Sequence, residues 1–326
     1  MTKTTSALLA TLASLAFGLC AQRAVAQDFP PKKTVTIMVG FAAGGATDIA
    51  ARIIAQKLGE NIGQSVVVDN KAGAGGNIAH QLTATGPADG TLLLLGSVGP
   101  LAIAPHMMKL PYDPVKDFAP LTMGVNFPNV LVVGANTGIK TFGEFIAYAK
   151  KNPGKLDFAS TGPGSASHLA GELLNQMAGI DTLHIPYKGG APALQDLLAG
   201  RVAAWYATYA TAQPHIESGR LIPLASTGAQ RLAALPNVPT IAESGYPGFS
   251  ATNWYAFIAT SKMSPALQER WNAELVKVLK SPDVVAALNK HGLPAQPGTR
   301  EELARYISAE SNTWGKLIRD RKITGQ

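Results

Sequence analysis

From residue 34 onward, short unbroken apolar runs alternate with stretches whose apolar positions recur at helical spacing. Thr34 to Val39, Ser65 to Asp69 and Thr91 to Leu95 read as strands. They are continuous apolar runs rather than strict alternations, the pattern of strands buried on both faces. Between them, Ile49, Ile53, Ile54 and Leu58 mark a helix over 48–58, and 77–84 reads as a short helix. A second series starts near Val130, with strands at 130–133, 156–159, 182–185, 202–207 and 222–226. Its helices fall at about 141–150, 167–178 and 191–199. Thr141 with Glu144, and later Thr299 with Glu302, have the spacing of a capping box. One more strand, 254–258, precedes a helical tail in which Ser264-Pro265 and Ser281-Pro282 each pair an N-cap residue with proline at the first helical position.

Strand–helix alternation implies right-handed crossovers and an α/β sheet. The two series imply two lobes, one formed by 27–125 plus 250–326 and the other by 126–249. Short crossings are expected near Asn126–Pro128 and Gly248–Asn253, because no linker of low complexity occurs.

The first 26 residues follow a different pattern. Lys3 precedes an uncharged apolar run from Ala7 to Ala21, and Ala24-Val25-Ala26 supplies a small-x-small cleavage site. This is the layout of a secretory signal peptide, and the run is short for a membrane span. Cleavage would make Gln27 the first residue of a 300-residue mature chain exported to the periplasm. It would also remove Cys20, the single cysteine, so no disulfide, thiolate or cysteine metal site is expected. A chain of 300 residues exceeds what one compact core usually holds, in keeping with two lobes.

The formal charge of +7 becomes +5 without the leader. That balance favours anionic ligands in a general way. Its lysines and arginines are scattered or occur in pairs such as Lys32-Lys33, so nucleic acid is not indicated.

Two segments carry the most chemistry. Phe41-Ala42-Ala43-Gly44-Gly45-Ala46-Thr47-Asp48 follows the first strand and opens a helix. Ser160-Thr161-Gly162-Pro163-Gly164-Ser165-Ala166-Ser167-His168 does the same in the second series. Glycines let backbone approach a ligand closely, and a helix N-terminus presents free amides with partial positive charge. One such turn is commonplace; one in each lobe, facing the other, makes a site for a single carboxylate. A third cluster, Gly73-Ala74-Gly75-Gly76, lacks the spacing of a dinucleotide loop and reads as a structural turn. The six histidines show no metal spacing, and no G-x-S-x-G elbow or Walker lysine occurs. Ser165 and His168 are neighbours at i, i+3, but neither a partner acid nor an oxyanion arrangement accompanies them. No cofactor or metal is expected.

In order along the chain, Gly44-Gly45-Ala46-Thr47-Asp48, Asn70-Lys71-Ala72-Gly73-Ala74-Gly75-Gly76-Asn77, Leu110-Pro111-Tyr112-Asp113, Ser160-Thr161-Gly162 through His168-Leu169, Pro186-Tyr187-Lys188-Gly189, Leu235-Pro236-Asn237-Val238-Pro239-Thr240 and Glu243-Ser244-Gly245 resemble the substrate-binding receptors of tripartite tricarboxylate transporters, the TctC or Bug-type family. The resemblance covers essentially the whole mature chain. It implies a two-lobed periplasmic-binding-protein fold of flytrap, type II-like form, with a ligand cleft between lobes. It implies a monomeric receptor, not an enzyme, that takes a small mono-, di- or tricarboxylate, aromatic ones included, to membrane permease subunits. The implied contacts are Phe41, Gly44, Gly45, Thr47 and Asp48 from one lobe and Ser160, Thr161, Gly164, Ser165 and His168 from the other. Ala207 and Thr208 would line the distal end of the ligand, beside Trp205, Tyr206 and Tyr209.

The chain departs from the family pattern in two places. Ala42-Ala43 stands where many relatives carry prolines, and neutral Ala207 and Thr208 stand where many carry an acid. An amine-bearing ligand is therefore less supported than a simple acid. Two other readings share the same residues: a secreted enzyme acting on a carboxylic acid through Ser165 and His168, and a ligand-sensing receptor for a sensor kinase.

Overall fold

The computed structural model describes residues 29–323; the expected signal peptide, Cys20 and residues 324–326 lie outside the described residues. Two sheets share one long strand. In the first, β1 (Val35–Val39) runs parallel to both β2 (Val66–Asn70) and β3 (Leu92–Ser97). Then β3 pairs antiparallel with β9 (Thr252–Thr260), and β9 pairs antiparallel with the first part of β4 (Phe118–Gly134). The second sheet takes up the rest of β4, with β7 (Ala204–Thr208) and β8 (Leu221–Ser226) antiparallel to it. It continues with β5 (Leu156–Ser160) parallel to β7, and β6 (Thr182–Pro186) at the edge parallel to β5. These sheets are the centres of two lobes.

Helices cover both faces, which is why β1, β3 and β7 are predominantly apolar. The helix α1 (Ala46–Ile62) packs with α7 (Pro265–Lys280) and α8 (Pro282–Lys290) on one face of the first sheet, around Ile54, Leu58, Trp271 and Leu275. The opposite face holds α2 (Asn77–Ala84) and the C-terminal α9 (Arg300–Asp320). That core is continuous with the one beneath α3 (Phe142–Lys151) and α4 (Ala166–Ala178), so one apolar layer runs through both lobes. A separate core around Val130, Val132, Trp205 and Leu197 lies under α5 (Gly190–Leu198) and α6 (Tyr209–Glu217).

Both expected capping boxes form: Thr141 and Thr299 accept from the amides of Glu144 and Glu302, whose carboxylates reach back to the N-cap amides. Such a cap stabilises a helix by about 1 kcal/mol. Pro265 and Pro282 both sit in the first turn of their helices.

Three elements depart from the sequence reading. The strand expected at 130–133 is the end of β4, which begins twelve residues earlier at Phe118. Pro120, Gly124 and Pro128 hide that stretch from periodicity, and the pairing of β4 with β9 shifts register at 120/122 and 123/125 to accommodate it. The expected crossing at Asn126–Pro128 is therefore strand, with Phe127 and Pro128 opposite Asn253 and Thr252 of β9. Helix α6 was not expected, because Pro214 lies within it and its apolar periodicity is weak. Finally, the antiparallel pairs made by β4, β8 and β9 give mixed sheets, which strand–helix alternation alone does not indicate.

Candidate functional site

The loop from Phe41 to Gly45 turns through Gly44 at φ +77°, a conformation that favours glycine. Asp48, at the third position of α1, stabilises this turn. Its Oδ2 accepts from the Gly44 amide at 2.9 Å and from Arg52 Nε at 2.9 Å. Burial pushes the Asp48 carboxyl up, but Arg52, the Gly44 amide and Asn70 outweigh it and hold the group below the usual range. Asn70 adds a bond from Nδ2 to Phe41 O at 3.0 Å, fixing the other end of the loop. Helix α1 then begins at Gly45 with no side-chain cap, so its first amides are left for something else.

The loop from Ser160 to Ser165 is held by a second set of internal bonds. The Thr161 amide donates to Ser167 Oγ at 2.9 Å and the Gly162 amide to Ser160 Oγ at 3.0 Å. The Gly164 amide donates to His168 Nδ1 at 3.2 Å. Ser160 Oγ shares a 2.6 Å hydrogen bond with His184 Nε2. The two imidazoles stack beneath the loop with centroids 3.9 Å apart. Burial, and then the neighbouring His184, push His168 down to about 3. Glu172 Oε1 lies 3.9 Å from His168 Nε2, too far for a hydrogen bond, and burial pushes its carboxyl up. Both environments favour the neutral forms, so the two are not an ion pair. Ser165 caps α4 by accepting from the His168 amide, leaving the amides of Ala166 and Ser167 without a side-chain cap.

The loops face each other across a narrow cavity. Of the predicted residues, Phe41, Gly45, Thr47, Thr161, Ser165 and Thr208 line it. The rest do not. Gly44 is an exposed residue whose amide is engaged by Asp48. Asp48, Ser160, Gly164 and His168 are buried supports of the loops, and Ala207 faces the core under α5. His168 Nδ1 contacts the Gly164 amide, not Ser165 Oγ, so no nucleophile–base pair is assembled here.

Sequence reasoning missed much of the wall. Ser97 ends β3 and Gly99 opens the helical turn after it, Asn129 comes from β4, Asn253 and Tyr255 from β9, and Gly190 and Thr211 from the first turns of α5 and α6. The N-caps of α5 and α6, Gly189 and Thr208, provide no side-chain cap either. Four helix N-termini therefore converge where the sequence indicated two. A signal for α5 existed in Gly189-Gly190, but none marked α6. Tyr255, fully buried, lies with its phenol beside the hydroxyls of Thr47 in one lobe and Thr208 in the other. Burial pushes this phenol up and the two hydroxyls pull it partly back.

No lining side chain carries a charge. Four buried wall atoms, Ser97 Oγ, Asn129 Nδ2, Trp205 Nε1 and Thr211 Oγ1, have no hydrogen-bond partner among the described residues. Buried polar groups are rarely left so, and each costs about 1–3 kcal/mol unless something bonds to it. Trp205 Nε1 and Asn129 Nδ2 only donate. The cavity is thus built for a small group rich in acceptors.

The lobes meet closely around this space. The Ala42 amide donates to Lys188 O across the cleft at 3.0 Å. Backbone also packs on backbone at glycines. A Cβ on Gly99 would stand 2.9 Å from Gly164 O, one on Gly189 would stand 2.8 Å from the Ala42 nitrogen, and one on Gly75 would collide with Pro163 O. Among the described residues, no helix is long and apolar enough to cross a membrane and no His, Cys, Asp and Glu cluster fits a metal.

Known proteins share this fold. The chain is 39% identical over 311 residues to the UPF0065 protein in the tcbD-tcbE intergenic region of Pseudomonas sp. strain P51, covering 95% of this chain and 93% of that one. It is 34% identical to Rpa4515 of R. palustris, solved with adipate, with a TM-score of 0.87 over 91% of this chain and 99% of that one. The periplasmic binding protein BugD superposes with a TM-score of 0.86 at 32% identity, over 91% of this chain and 100% of that one. Residues 50–323 match the tripartite tricarboxylate transporter family receptor profile, TctC. The protein belongs to that TctC/Bug family of receptors.

Proposed function

We propose that this protein is a periplasmic receptor that captures a small carboxylate between its lobes and hands it, unchanged, to the membrane permease subunits of a tripartite transporter. The observation that carries this reading is the cavity itself: uncharged walls, four converging helix N-termini, three of them without a side-chain cap, and unpaired donors between two lobes. Helix N-termini and oriented amides attract an anion without a cationic side chain. The adipate in the similar R. palustris structure supports the same class of ligand. In this reading residues 1–26 are removed on export. The lobes comprise 27–125 with 250–326, and 126–249. Phe41, Gly45, Thr47, Thr161, Ser165 and Thr208 touch the ligand, and Gly44, Asp48, Ser160, Gly164 and His168 hold those residues in place.

Thermal unfolding of residues 27–326, refolded from denaturant to strip any carried ligand, tests the reading against a panel of carboxylates and their amides. An acid at a hundred times its dissociation constant adds about 2.7 kcal/mol. This moves the midpoint by several degrees at about 2–4 °C per kcal/mol. The amide should do far less. A flat response to every acid would sink the proposal, and so would recovery of a chemically altered ligand after incubation.

A further inference from the structure

Two distinctive segments of the chain take no part in lining the cavity: the turn Gly73–Asn77 and the stretch Leu110–Asp113. The first belongs to the seam between the lobes. A Cβ on Gly75 would collide with Pro163 O, and one on Gly162 would stand 2.8 Å from the Gly75 nitrogen. The helical turn Gly99–Ile103 is a second seam element on the same side, where Gly99 meets Gly164. The two elements touch: a Cβ on Gly76 would be 3.2 Å from Pro100 Cγ.

The Gly73–Asn77 turn needs support, because Ala74 sits at φ +48°, a left-handed conformation that a Cβ disfavours. Asn77 Nδ2 donates to Ala74 O at 2.7 Å, and His80 Nδ1 lies 2.9 Å from Gly76 O. Tyr112, from the second segment, bridges the two seam elements. Its buried hydroxyl donates to Asn77 Oδ1 at 2.6 Å and reaches Pro100 O at 3.2 Å. The ring is held separately, stacked on His80 at 5.9 Å and edge-on to Phe118 at 5.4 Å. Burial pushes the phenol up, which keeps the hydroxyl a donor. We infer that Tyr112 is a positioning residue: its hydroxyl ties the Gly73–Asn77 and Gly99–Ile103 turns into one jaw, on which the Gly162–Gly164 loop seats when the lobes close. This rests on the carboxylate-receptor reading and adds to it a residue, remote from the ligand, that sets how long the closed form lasts. The jaw is engaged only once the lobes meet, so the hydroxyl acts on release and not on encounter.

Tyr112→Phe removes the hydroxyl and keeps the ring. Hydrogen exchange on the unliganded mature protein reads the amides that close the two turns: Gly76 to Gly73 O, Asn77 to Ala74 O and Ala104 to Gly99 O. In the variant they should exchange about fivefold faster, while the amides of α3 exchange as in the wild type. Unchanged exchange in the turns overturns the inference, and so does equal acceleration along the whole chain, which would report only a loss of global stability. Stopped-flow binding then uses the acid, from a panel of acetate, succinate, adipate, citrate and benzoate, that raises the wild-type midpoint most. Tyr112→Phe should speed its release by about fivefold and change its association rate by less than about twofold. Asn77→Ala breaks the same bridge from the other side, so the double variant should release the acid no faster than Asn77→Ala alone. Additive effects, or an unchanged release rate in Tyr112→Phe, refute the bridge while the receptor reading stands. If the wild type binds none of the acids, the receptor reading falls and the role of Tyr112 in closure with it.

Discussion

The imidazoles of His168 and His184 stack face to face, 3.9 Å between centroids and 13° between planes, directly beneath the loop that opens α4. His168 accepts the Gly164 amide through Nδ1, so that nitrogen must stay unprotonated for the loop to keep its shape.

Burial of two histidines makes the protein sensitive to acid. Burial and His184 hold His168 at about 3, and burial holds His80, whose Nδ1 lies 2.9 Å from Gly76 O, at about 4. Unfolded, both titrate near 6.5, so between that value and the folded ones the unfolded chain holds more protons. Native stability therefore rises with pH through this window and is lost on acidification, with a slope approaching about 1.4 kcal/mol per unit for each histidine. Urea unfolding between pH 4 and 8 should show the midpoint falling steadily below pH 6.5. A flat profile would mean that neither histidine is neutral by constraint.

Asp48→Ala removes the acceptor of the Gly44 amide and the partner of Arg52. It should lower stability by about 2 kcal/mol, the scale of hydrogen bonds to a charged group. It should also weaken carboxylate binding although Asp48 does not line the cavity. Asp48→Asn retains one acceptor oxygen and should recover part of both losses. Chemical denaturation and titration on the two variants check this, and unchanged binding by Asp48→Ala would show that the loop holds its shape unaided.

Gly99→Ala tests the seam where the two lobes meet beside the cavity. Its backbone φ lies outside the left-handed region, so the methyl group brings no backbone strain, only a contact 2.9 Å from Gly164 O in the opposite lobe. Affinity should fall by about tenfold or more, while the unliganded protein melts at the wild-type temperature. Small-angle scattering with saturating acid should give a larger radius of gyration than for the wild type. Wild-type affinity would show that the seam yields.

Ser165→Ala and Thr299→Ala make a matched pair. Each loses an N-cap bond, to the His168 amide and to the Glu302 amide. Each should cost about 1 kcal/mol of stability. Only Ser165 lines the cavity, so only Ser165→Ala should also weaken binding. If titration shows both variants or neither to bind less tightly, the assignment of Ser165 as a contact fails.

Local chemistry was legible in the sequence; convergence was not. The turn at Gly44 and the capping boxes at Thr141 and Thr299 are each fixed by a few consecutive residues. They could be read without knowing the rest of the fold. The wall residues Asn129 and Asn253 are brought within 3.5 Å only by the antiparallel pairing of β4 with β9, which Pro120, Gly124 and Pro128 concealed. Helix α6, and with it Thr211, was hidden by Pro214. Asp48 and His168 were read as contacts because loop residues that open helices often are. In the structure neither lines the cavity; each accepts a loop amide, from Gly44 and Gly164.

The strands β4 and β9 pass between the lobes as a hydrogen-bonded pair, with Phe127 and Pro128 opposite Asn253 and Thr252. Such a joint is a flexure, not a pivot. Two single tethers would allow the halves to slide and twist, whereas a laddered ribbon resists shear and leaves bending across its width as the soft direction. In the proposed receptor, closure of the lobes should therefore follow nearly the same arc. That repeatability matters at Gly99 and Gly189, where main chain meets main chain with no side chain to absorb a misaligned approach.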